Sequence, residues 1–420
     1  MREDAGVNVA VIGGGAVGLA CAHTLARAGA DVVVLDRGRC GEGCSFRNTG
    51  WICPALSAPL PAPRVMGRAV LGMLRRDTPL LVQPRPTASF VRWSWEFWRA
   101  CAPDRYRAGL DATVALARPT FELFDRLRAD GVEFQIHETG MIVAALSHPG
   151  LREYVEAIEG AQRAGYDGPV EVLGGDELRA REPALAGAVV GGVHVGAERY
   201  VRPEELTSAL AASLRAAGAD VREGTEVTHL ARADGRWLLR TADARLEADR
   251  VVLAAGAWSA RLLAMLAIQI PFEAAKGYSV TASGGGVAPR HALYLAEAKV
   301  GASPFGEQVR LAGIFDLTGI DSTLRRRRIG AIVRSSAPYF RDWRPETIAL
   351  EWAGLRPYPA DGLPIIGPVP GQDGLVVATG HGRLGITLAP ATGEAVREIL
   401  LSGVVPPEAR PFGIERLLRQ

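Results

Sequence analysis

The sequence predicts an α/β protein with a Rossmann-like nucleotide-binding domain and a second, mixed-sheet α+β domain. Its 420 residues are enough for two domains with large cores. Residues 9–36 read as strand, glycine-rich turn, helix and strand, which is the β-α-β unit of dinucleotide-binding domains. Helical and strand patterns then alternate to the end of the chain, and their order implies that the first domain is discontinuous.

The first strand and its turn give the strongest local signal. Residues 9–12 form an apolar run typical of a buried parallel strand, and they lead into residues 13–18, GGGAVG, which contain G-x-G-x-x-G. Gly13 permits the tight turn out of the strand, and Gly15 lets the backbone approach a pyrophosphate. Gly18 lets the helix pack against the strand. The spacing therefore predicts dinucleotide binding.

The helix and the second strand complete this unit. The helix begins near Ala16 and Val17, and its N-terminus offers N–H groups and a partial positive charge to a diphosphate. A second apolar run, residues 32–35, ends at Asp36, whose carboxylate can accept hydrogen bonds from a ribose. The alternative interpretation is a signal peptide or membrane anchor. It is disfavoured because glycines and polar residues interrupt the apolar run early.

Charge and cysteine content restrict the function classes. Lys and Arg total 48 and Asp and Glu total 46, so a net charge of +2 gives no reason to expect a nucleic-acid partner. The basic run at residues 325–328 is expected to be the solvated face of a helix. Five cysteines without framework spacing indicate reduced thiols and a cytoplasmic protein. Cys40 and Cys44 lack a second ligand pair, so no metal site is predicted, and the sequence contains no uninterrupted transmembrane run.

An aromatic cluster lies in the mostly helical pattern over residues 64–128. Its members occur at helical spacing, and they are Phe90, Trp93, Trp95, Phe97 and Trp98. The cluster is expected to pack a helix onto the body of the protein. A peripheral membrane contact is the alternative, because Trp and Arg are mixed there.

The other predicted elements alternate in type. They are a strand at 134–144, helices at 152–164 and 204–217, a strand at 220–222, a meander at 227–252, a strand with a small-residue turn at 253–258, several strands within 272–315, a helix at 323–339, a strand at 375–378 and a helix at 389–402. This order assigns residues 1–63, 190–265 and 350–420 to the nucleotide-binding domain, and residues 64–189 and 266–349 to a substrate domain. A ligand pocket is expected between the two.

Several motifs occur together and in order along nearly the whole chain. They are GGGAVG at 13–18, SFRNTG at 45–50, LAAGAWS at 253–259, KGYS at 276–279, WAGLRP at 352–357 with DGLPIIG at 361–367, and TGHGRLGITLAPATG at 379–393. In this combination the chain resembles the FAD-dependent D-amino acid oxidase superfamily, in its bacterial D-amino acid dehydrogenase and glycine oxidase branches.

The resemblance implies a glutathione-reductase-type FAD domain with FAD bound in extended form. Adenosine is expected at the glycine loop and Asp36, the diphosphate and flavin at residues 45–50, and the pyrimidine side of the flavin at the start of the last helix. The implied cofactor contacts are Gly13, Gly15, Ala16, Val17, Gly18, Asp36, Arg37, Ser45, Asn48, Thr49, Gly50, Val227, Ala255, Gly256, Trp258, Gly354, Gly382, Arg383, Leu384, Gly385, Ile386 and Thr387.

The implied reaction is oxidation of a carbon–nitrogen bond next to a carboxylate, followed by hydrolysis of the imine. Such chemistry needs a carboxylate clamp, for which arginine is suited. Arg356 matches the main clamp and Arg383 an assisting one; the alternative is a structural arginine that pairs with Asp361 or Glu351. Tyr278 is a third candidate, which lines the pocket or caps a strand edge.

Other residues near these motifs leave alternatives open. Lys276 lies near the flavin and tunes oxygen reactivity, or it is a structural cation. His381 is expected to contact the flavin, and covalent attachment of the flavin at Cys53 is not expected. Relatives carry a tyrosine where this chain has residues 295–300, although Tyr294 comes just before.

This departure leaves the substrate open, and the motifs themselves leave the electron acceptor open. A small Ala298 there leaves room for an N-substituted substrate, so secondary amines stay beside glycine and D-amino acids. The electron acceptor is oxygen or a quinone. Oxidation of a hydroxy acid or glycerol phosphate, and a non-catalytic flavin-binding redox partner, are the competing functions.

Overall fold

The protein is described from a computed structural model, which covers residues 6–63, 80–284, 286–342 and 347–418. The part of the helical prediction over residues 64–79 lies outside the described residues. Within the described residues there are ten α-helices: α1 (Ala16–Arg27), α2 (Ala88–Ala100), α3 (Pro103–Ala117), α4 (Thr120–Ala129), α5 (His148–Arg163), α6 (Gly175–Arg181), α7 (Pro203–Ala216), α8 (Ser259–Met265), α9 (Arg326–Ser336) and α10 (Gly385–Ser402).

The strands of the described residues form four sheets. In chain order they are β1 (Asn8–Ile12), β2 (Asp31–Leu35), β3 (Trp51–Ile52), β4 (Leu80–Val82), β5 (Ile136–His137), β6 (Met141–Ala145), β7 (Val170–Gly174), β8 (Gly191–Val195), β9 (Arg199–Val201), β10 (Asp220–Arg222), β11 (His229–Ala233), β12 (Arg236–Arg240), β13 (Arg245–Ala248), β14 (Arg250–Leu253), β15 (Phe272–Ser283), β16 (Ala292–Leu295), β17 (Val300–Phe305), β18 (Gln308–Leu317), β19 (Thr347–Pro359), β20 (Ile365–Val369) and β21 (Gln372–Thr379).

The first large sheet has the order β10-β2-β1-β14-β21-β20, and all its pairs are parallel except β20 with β21. Val11 of β1 lies between Val34 and Val252. Val9 and Val11 pack towards α1, α7 and α10, whereas Ala10 and Ile12 pack towards α8 and the β11–β13 meander. Both faces are buried, which explains the continuous apolar runs of these strands. The predicted β-α-β unit and the α/β class are confirmed.

The second large sheet is mixed and has nine strands in the order β19-β15-β18-β17-β16-β6-β8-β7, with β4 beside β18. Ile142 and Ala144 of β6 face one core with α9, while Val143 and Ala145 face another with α5. This alternation places helices on both faces of the sheet. Two three-stranded sheets, β11-β12-β13 and β3-β9-β5, complete the described architecture.

The strand pairing differs from the predicted domain boundaries at two strands. The ranges 190–265 and 350–420 assigned β8 and most of β19 to the nucleotide-binding domain, but both strands belong to the nine-stranded sheet. β8 pairs with β6 and β7, and β19 pairs with β15 along most of its length. Such partners are distant in sequence, so the local pattern carries no information about them.

Two predicted elements have different bounds in the structure. The strand expected over residues 134–144 is two short strands, β5 and β6, which join different sheets because Gly140 between them turns the chain at φ 77°. The last helix begins at Gly385, one turn before the predicted residue 389, and contains Pro390.

The basic run was expected to be a solvated helix face, and this is wrong for Arg328. Arg325, Arg326 and Arg327 are exposed, as expected. The Arg328 side chain is buried, and its Nη2 lies 2.6 Å from the Asp316 carboxylate. The run therefore supplies a buried ion pair under the second sheet.

The aromatic helix α2 has two apolar faces. Phe90, Trp93 and Phe97 are buried, as expected for packing onto the body. Trp95 and Trp98 are 57% and 53% exposed, with ring centroids 5.0 Å apart. Among the described helices, none is long and apolar enough to cross a membrane.

Candidate active site

A cavity of about 1440 Å³ runs from the carboxyl ends of β1 and β2 to the face of β15 and β19. Ligand pockets commonly measure about 300–1,000 Å³, so this one has room for a dinucleotide and a small second molecule. Residues from both large sheets line it. The predicted location of the pocket between two domains therefore agrees with the cavity.

Nearly all the sequence-predicted site residues lie together in the wall of this cavity. They are Gly13, Gly15, Ala16, Val17, Gly18, Asp36, Arg37, Ser45, Asn48, Thr49, Val227, Ala255, Gly256, Trp258, Tyr278, Gly354, Arg356, Gly382, Arg383, Leu384, Gly385, Ile386 and Thr387. Gly50 is the exception, and its surroundings differ from the prediction. It lies at φ 70°, and a Cβ there would collide with the Val201 carbonyl. The Gly50 carbonyl accepts from the Val201 N–H at 2.9 Å, so Gly50 joins the loop to β9.

The turn after β1 has the geometry that an anion site requires. Gly13 lies at φ 112°, and its N–H donates to the carbonyl of Leu35 at 2.8 Å. Helix α1 has Gly15 as its N-cap, without a side-chain cap and without an acidic residue in the first turn. Ser45 Oγ accepts from the Ala16 N–H at 3.0 Å. The positive end of the helix dipole therefore faces the cavity, and the first turn of α1 carries no acidic residue that would oppose a phosphate.

Asp36 joins the second strand to this turn. One of its carboxylate oxygens accepts from the Gly14 N–H at 2.7 Å, and the other accepts from the Gly38 N–H at 2.8 Å. Each oxygen has a further lone pair, so the carboxylate can also accept from a ribose hydroxyl. Beside it, the Arg37 guanidinium stacks on the Trp258 ring at 3.7 Å.

A buried arginine that the sequence analysis did not identify anchors the loop over residues 38–50. Arg310 is 1% exposed and donates to the Asn48 carbonyl at 3.2 Å. It also pairs with the Glu204 carboxylate at 2.6 Å. The sequence around Arg310 in β18 is mostly apolar and did not indicate these contacts. Their partners lie in α7 and in the 38–50 loop, which are far from β18 in the sequence.

The last helix presents a second open N-terminus to the cavity. Its N-cap is Leu384, which has no side-chain cap, and its first turn contains no acidic residue. Gly385 and Ile386 line the cavity. The Thr387 hydroxyl is occupied, since it donates to the Trp51 carbonyl at 3.1 Å and accepts from the Cys53 N–H at 3.1 Å. Two open helix N-termini thus face one cavity.

Arg356 lies on the cavity face of β19. Its guanidinium covers Gly277 of the paired strand so closely that a Cβ at that position would collide with it. Its Nη1 donates to the Ile314 carbonyl at 2.8 Å. The alternative of structural pairing with Asp361 or Glu351 does not hold. Asp361 pairs with Arg416, and Glu351 pairs with Arg326.

Arg383 lies at the exposed mouth of the cavity. Its Nη2 donates to the Ala58 carbonyl at 2.8 Å. Within the described parts of the chain, neither Arg383 nor Arg356 forms an ion pair with a carboxylate. Burial raises the pKa of Tyr358, and the charges of Arg356 and then Arg383 lower it, so both cations are close to this ring.

Tyr278 is among the residues that line the cavity, but its side chain packs into the core on the face of β15 opposite Arg356. It pairs with Ala353, and both pack into the core beneath α9 with Ile329 and Ile332. Burial raises its pKa, and Asp316 near its hydroxyl adds to this. Because side chains alternate along a strand, Tyr278 faces away from Arg356.

Lys276 lies on the same face as Tyr278, in agreement with the structural alternative. It is fully buried, and its Nζ lies 2.7 Å from the Asp321 carboxylate and 3.1 Å from the Thr323 carbonyl. Within the part of the chain that the structure describes, Lys276 is not part of the cavity wall. The ion pair holds the pKa of Asp321 below its usual range.

His381 and Cys53 line the cavity in unreactive states. Burial lowers the pKa of His381 to about 3, so its ring is neutral at ordinary pH, and Nε2 lies 2.9 Å from the Thr392 hydroxyl. Burial raises the pKa of the Cys53 thiol, and Glu198 adds to this. A protonated thiol is a poor nucleophile.

The wall at residues 294–299 differs from the expected one. Tyr294 lines the cavity, but Ala298 is buried in the core beneath α9 and leaves no room there. Lys299 lines the cavity instead, at φ 54°, with Nζ 3.0 Å from Glu153 and 2.9 Å from the Tyr154 hydroxyl. The expected space beside Ala298 is therefore wrong.

Comparison with solved structures agrees with this architecture. Glycine oxidase from Geobacillus kaustophilus superposes with a TM-score of 0.75 at 23% identity, covering 99% of both chains. Iminodiacetate oxidase from Chelativorans sp. BNC1 gives 0.72 at 22%, covering 96% of this chain and 98% of that one. L-alpha-glycerophosphate oxidase from Mycoplasma pneumoniae gives 0.72 at 17%, covering 94% of each. These similarities show a shared fold.

The family comparison covers nearly the whole chain. The sequence profile described as "DAO: FAD dependent oxidoreductase" matches residues 8–399. The cofactor is FAD, and the cavity fits it, because the Gly13 turn, Asp36 and two open helix N-termini face one space. The chain therefore belongs to the DAO family of FAD-dependent oxidoreductases.

Proposed function

We propose that this protein oxidises the bond between the α-carbon and the nitrogen of an amino acid. The substrate is glycine, a D-amino acid or an N-substituted glycine-type secondary amine. The observation that carries this proposal is the Arg356 guanidinium, which lies in the cavity wall with no carboxylate partner among the described residues. A guanidinium can hold a carboxylate through two parallel hydrogen bonds.

Bound FAD supplies the redox chemistry by accepting the hydride that leaves the α-carbon. The protein must hold that carbon within about 3–3.5 Å of the cofactor. Arg356 fixes the substrate carboxylate, and Arg383 assists from the mouth of the cavity. The substrate nitrogen loses a proton to solvent, and the resulting imine hydrolyses to an oxo acid and an amine or ammonia.

Little acid–base work is required of the side chains. His381 is neutral because burial lowers its pKa to about 3, and the neutral form of the substrate amine needs no strong base. The open N-terminus of α10 can stabilise negative charge that develops on the cofactor. Oxygen or a quinone then takes the electrons, and Lys276 has no part in this step because Asp321 holds it on the far face of β15.

The names of two structural neighbours, glycine oxidase and iminodiacetate oxidase, support an amine substrate. The free cysteines support a reduced, cytoplasmic location. The remaining alternative from the same fold is a hydroxy acid or glycerol phosphate. L-alpha-glycerophosphate oxidase has the same fold, so the fold alone does not discriminate.

The test is anaerobic bleaching of the FAD absorbance by a substrate panel. The panel contains glycine, D-amino acids, proline, sarcosine, N-carboxymethyl amines, a 2-hydroxy acid and glycerol 3-phosphate. Bleaching by one of the amines is expected, because no acceptor is needed for the first half-reaction. Bleaching by a hydroxy compound alone, or by nothing in the panel, would contradict the proposal.

A further inference from the structure

Helix α2 is apolar on both of its sides. Its inward side, which includes Trp93, is buried against the body of the protein. Val91, Trp95 and Trp98 follow one another at steps of four and three residues, so they share the outward side. A surface helix normally carries polar residues there, and an exposed apolar patch marks a protein or membrane contact.

The outward side has large apolar groups that are well exposed. Val91, Trp95 and Trp98 are 61%, 57% and 53% exposed, and the two indole rings lie with centroids 5.0 Å apart. Neither of these two indole N–H groups donates a hydrogen bond within the described residues. An indole suits a boundary where one end of the ring is in apolar material and the other is in water. The boundary of a lipid bilayer is such a place.

The segment around this apolar side is cationic. Residues 88–107 contain four arginines and two acidic residues. Arg99 follows Trp98, is exposed, and pairs with Glu96 at 3.3 Å. Arg105, in the first turn of α3, is exposed and forms no ion pair among the described residues. Exposed cations beside exposed tryptophans are complementary to an anionic lipid surface.

The inward side of the same helix belongs to the wall of the active-site cavity. Phe90, Trp93, Ser94 and Phe97 line the cavity, and so does Met265, which is exposed at the end of α8. An α-helix with its side chains is about 10–12 Å across. Whatever covers the outward side of α2 therefore lies within roughly one helix diameter of the cavity.

A second copy of this chain fits the outward side less well than lipid does. Val91, Trp95 and Trp98 together expose an apolar surface on the order of 300 Å². Each partner in a stable protein–protein interface contributes about 800 Å². In a symmetric dimer the arginines of the two copies would also face each other, which is repulsive.

We propose that the outward side of α2 docks on an anionic lipid bilayer. Val91, Trp95 and Trp98 lie at the level of the headgroups, and the neighbouring arginines contact the lipid phosphates. The helix lies along the surface and does not cross the bilayer. This docking is independent of the substrate. Of the two electron acceptors left open, it favours a quinone, because a quinone dissolves in lipid that lies next to the cavity wall.

Sedimentation of the FAD-loaded protein with lipid vesicles tests the docking. Vesicles of phosphatidylcholine with phosphatidylglycerol are compared with vesicles of phosphatidylcholine alone, without any substrate. We expect binding to the anionic vesicles only, and weaker binding as the salt concentration rises, because salt screens charges at a surface. Binding to neither kind of vesicle, or equal binding to both, would overturn the proposal and leave the proposed function untouched.

A double variant, Trp95→Ser with Trp98→Ser, tests whether α2 is the docking surface. We expect it to bind anionic vesicles at least about tenfold more weakly, since each indole buries a large apolar ring, while FAD content is unchanged. Val172→Ser is the matched control, because Val172 is also exposed but lies on β7, at the edge of the second large sheet. If the double variant and the control bind alike, the assignment to α2 is wrong.

Arg105→Gln tests the charge contribution. Removal of one cation near an anionic surface should weaken vesicle binding about fivefold. Arg245→Gln is the control, since Arg245 is exposed on the β11–β13 sheet. Unchanged binding of Arg105→Gln would overturn the role of this cation in docking.

Sedimentation velocity without lipid tests the competing occupant, a second copy of the chain. We expect the unmodified protein and the double variant to have the same oligomeric state. An oligomer that the double tryptophan substitution dissociates would assign the outward side of α2 to a contact between copies, and the proposal would be wrong.

Discussion

The Nη1 atom of Arg356 donates to the carbonyl oxygen of Ile314 at 2.8 Å, and Ile314 lies at φ 67°. This conformation is rare and strained for a β-branched residue. It occurs where the pairing of β15 with β18 shifts register beside Tyr278, as a bulge does. The bulge therefore brings the Ile314 carbonyl to the guanidinium and fixes one of its two terminal nitrogens.

Substitution of Arg356 by lysine tests the clamp. Lysine keeps the positive charge but loses the planar fork that binds a carboxylate through two parallel hydrogen bonds. We expect kcat/KM to fall at least about 30-fold, equivalent to roughly 2 kcal/mol. Steady-state kinetics with measured FAD content checks this, with Tyr278→Phe as the control. A variant with kcat/KM near that of the unmodified protein would exclude the clamp.

Gly277→Ala tests the same site without changing a charge. The new Cβ would collide with the guanidinium of Arg356, which must then leave its place over β15. We expect kcat/KM to fall about tenfold or more, since a displacement of about 1 Å can cost up to 100-fold, while FAD stays bound. Gly187→Ala is the matched control, because a Cβ there has nothing within 4 Å. Equal activity of the two variants would show that the position of Arg356 is unimportant.

The first β-α-β unit could be predicted because its signals are local. Strand, glycine turn, helix and acid follow one another within residues 9–36, and each has a steric or electrostatic reason to be there. Arg356 was identified through family motifs, and the structure places it in the cavity wall. Local sequence thus located the site.

The face of the sheet towards which each strand side chain points could not be predicted from local sequence. Tyr278 was a candidate catalytic residue, but its direction follows from pairing with Ala353 across β15 and β19. Tyr358, which also lines the cavity two residues after Arg356, was not singled out because β19 was not recognised as a strand. Sheet membership of β8 likewise depends on β6, which is far away in sequence.

Lys276→Met tests whether Lys276 affects oxygen reactivity. Its ammonium group is held by Asp321 on the face opposite Arg356, so we expect the ratio of the rates with oxygen and with an artificial acceptor to change less than about twofold. Steady-state assays with both acceptors measure it. A selective loss of the oxygen rate would contradict the structural role.

The ion pair between Lys276 and Asp321 predicts which of two substitutions destabilises the protein more. Asp321→Asn leaves the fully buried Lys276 without its counter-charge, whereas Lys276→Met leaves a carboxylate that is 29% exposed to water. Removing one partner of a buried pair is strongly destabilising, but an apolar replacement of the buried charge is often tolerated. We expect Asp321→Asn to lose about 2 kcal/mol or more of unfolding free energy, and Lys276→Met less. Denaturant unfolding at saturating FAD measures both, and the reverse order would be the contradicting result.

The buried Glu198 carboxyl predicts that the protein loses stability as the pH rises from the weakly acidic range to about 8. The side chain is 1% exposed, and burial raises its pKa to about 8, although hydrogen bonds beginning with the Ala55 N–H lower it. Between the unfolded pKa, about 4.3, and 8, the folded protein holds a proton that the unfolded chain has lost. Stability therefore falls as pH rises through this window, and above pH 8 a buried charge remains.

Glu198→Gln removes this ionisation and keeps the shape of the side chain. We expect the unfolding free energy of the unmodified protein to fall by a few kcal/mol at most, on the order set by the pKa shift, between pH 5 and 9. The decline should be clearly smaller in Glu198→Gln. Denaturant unfolding at several pH values measures it, with the exposed Glu408→Gln as the matched control. Parallel curves for the unmodified protein and Glu198→Gln would mean that Glu198 is already ionised in the folded state, with its charge compensated by the surrounding donors.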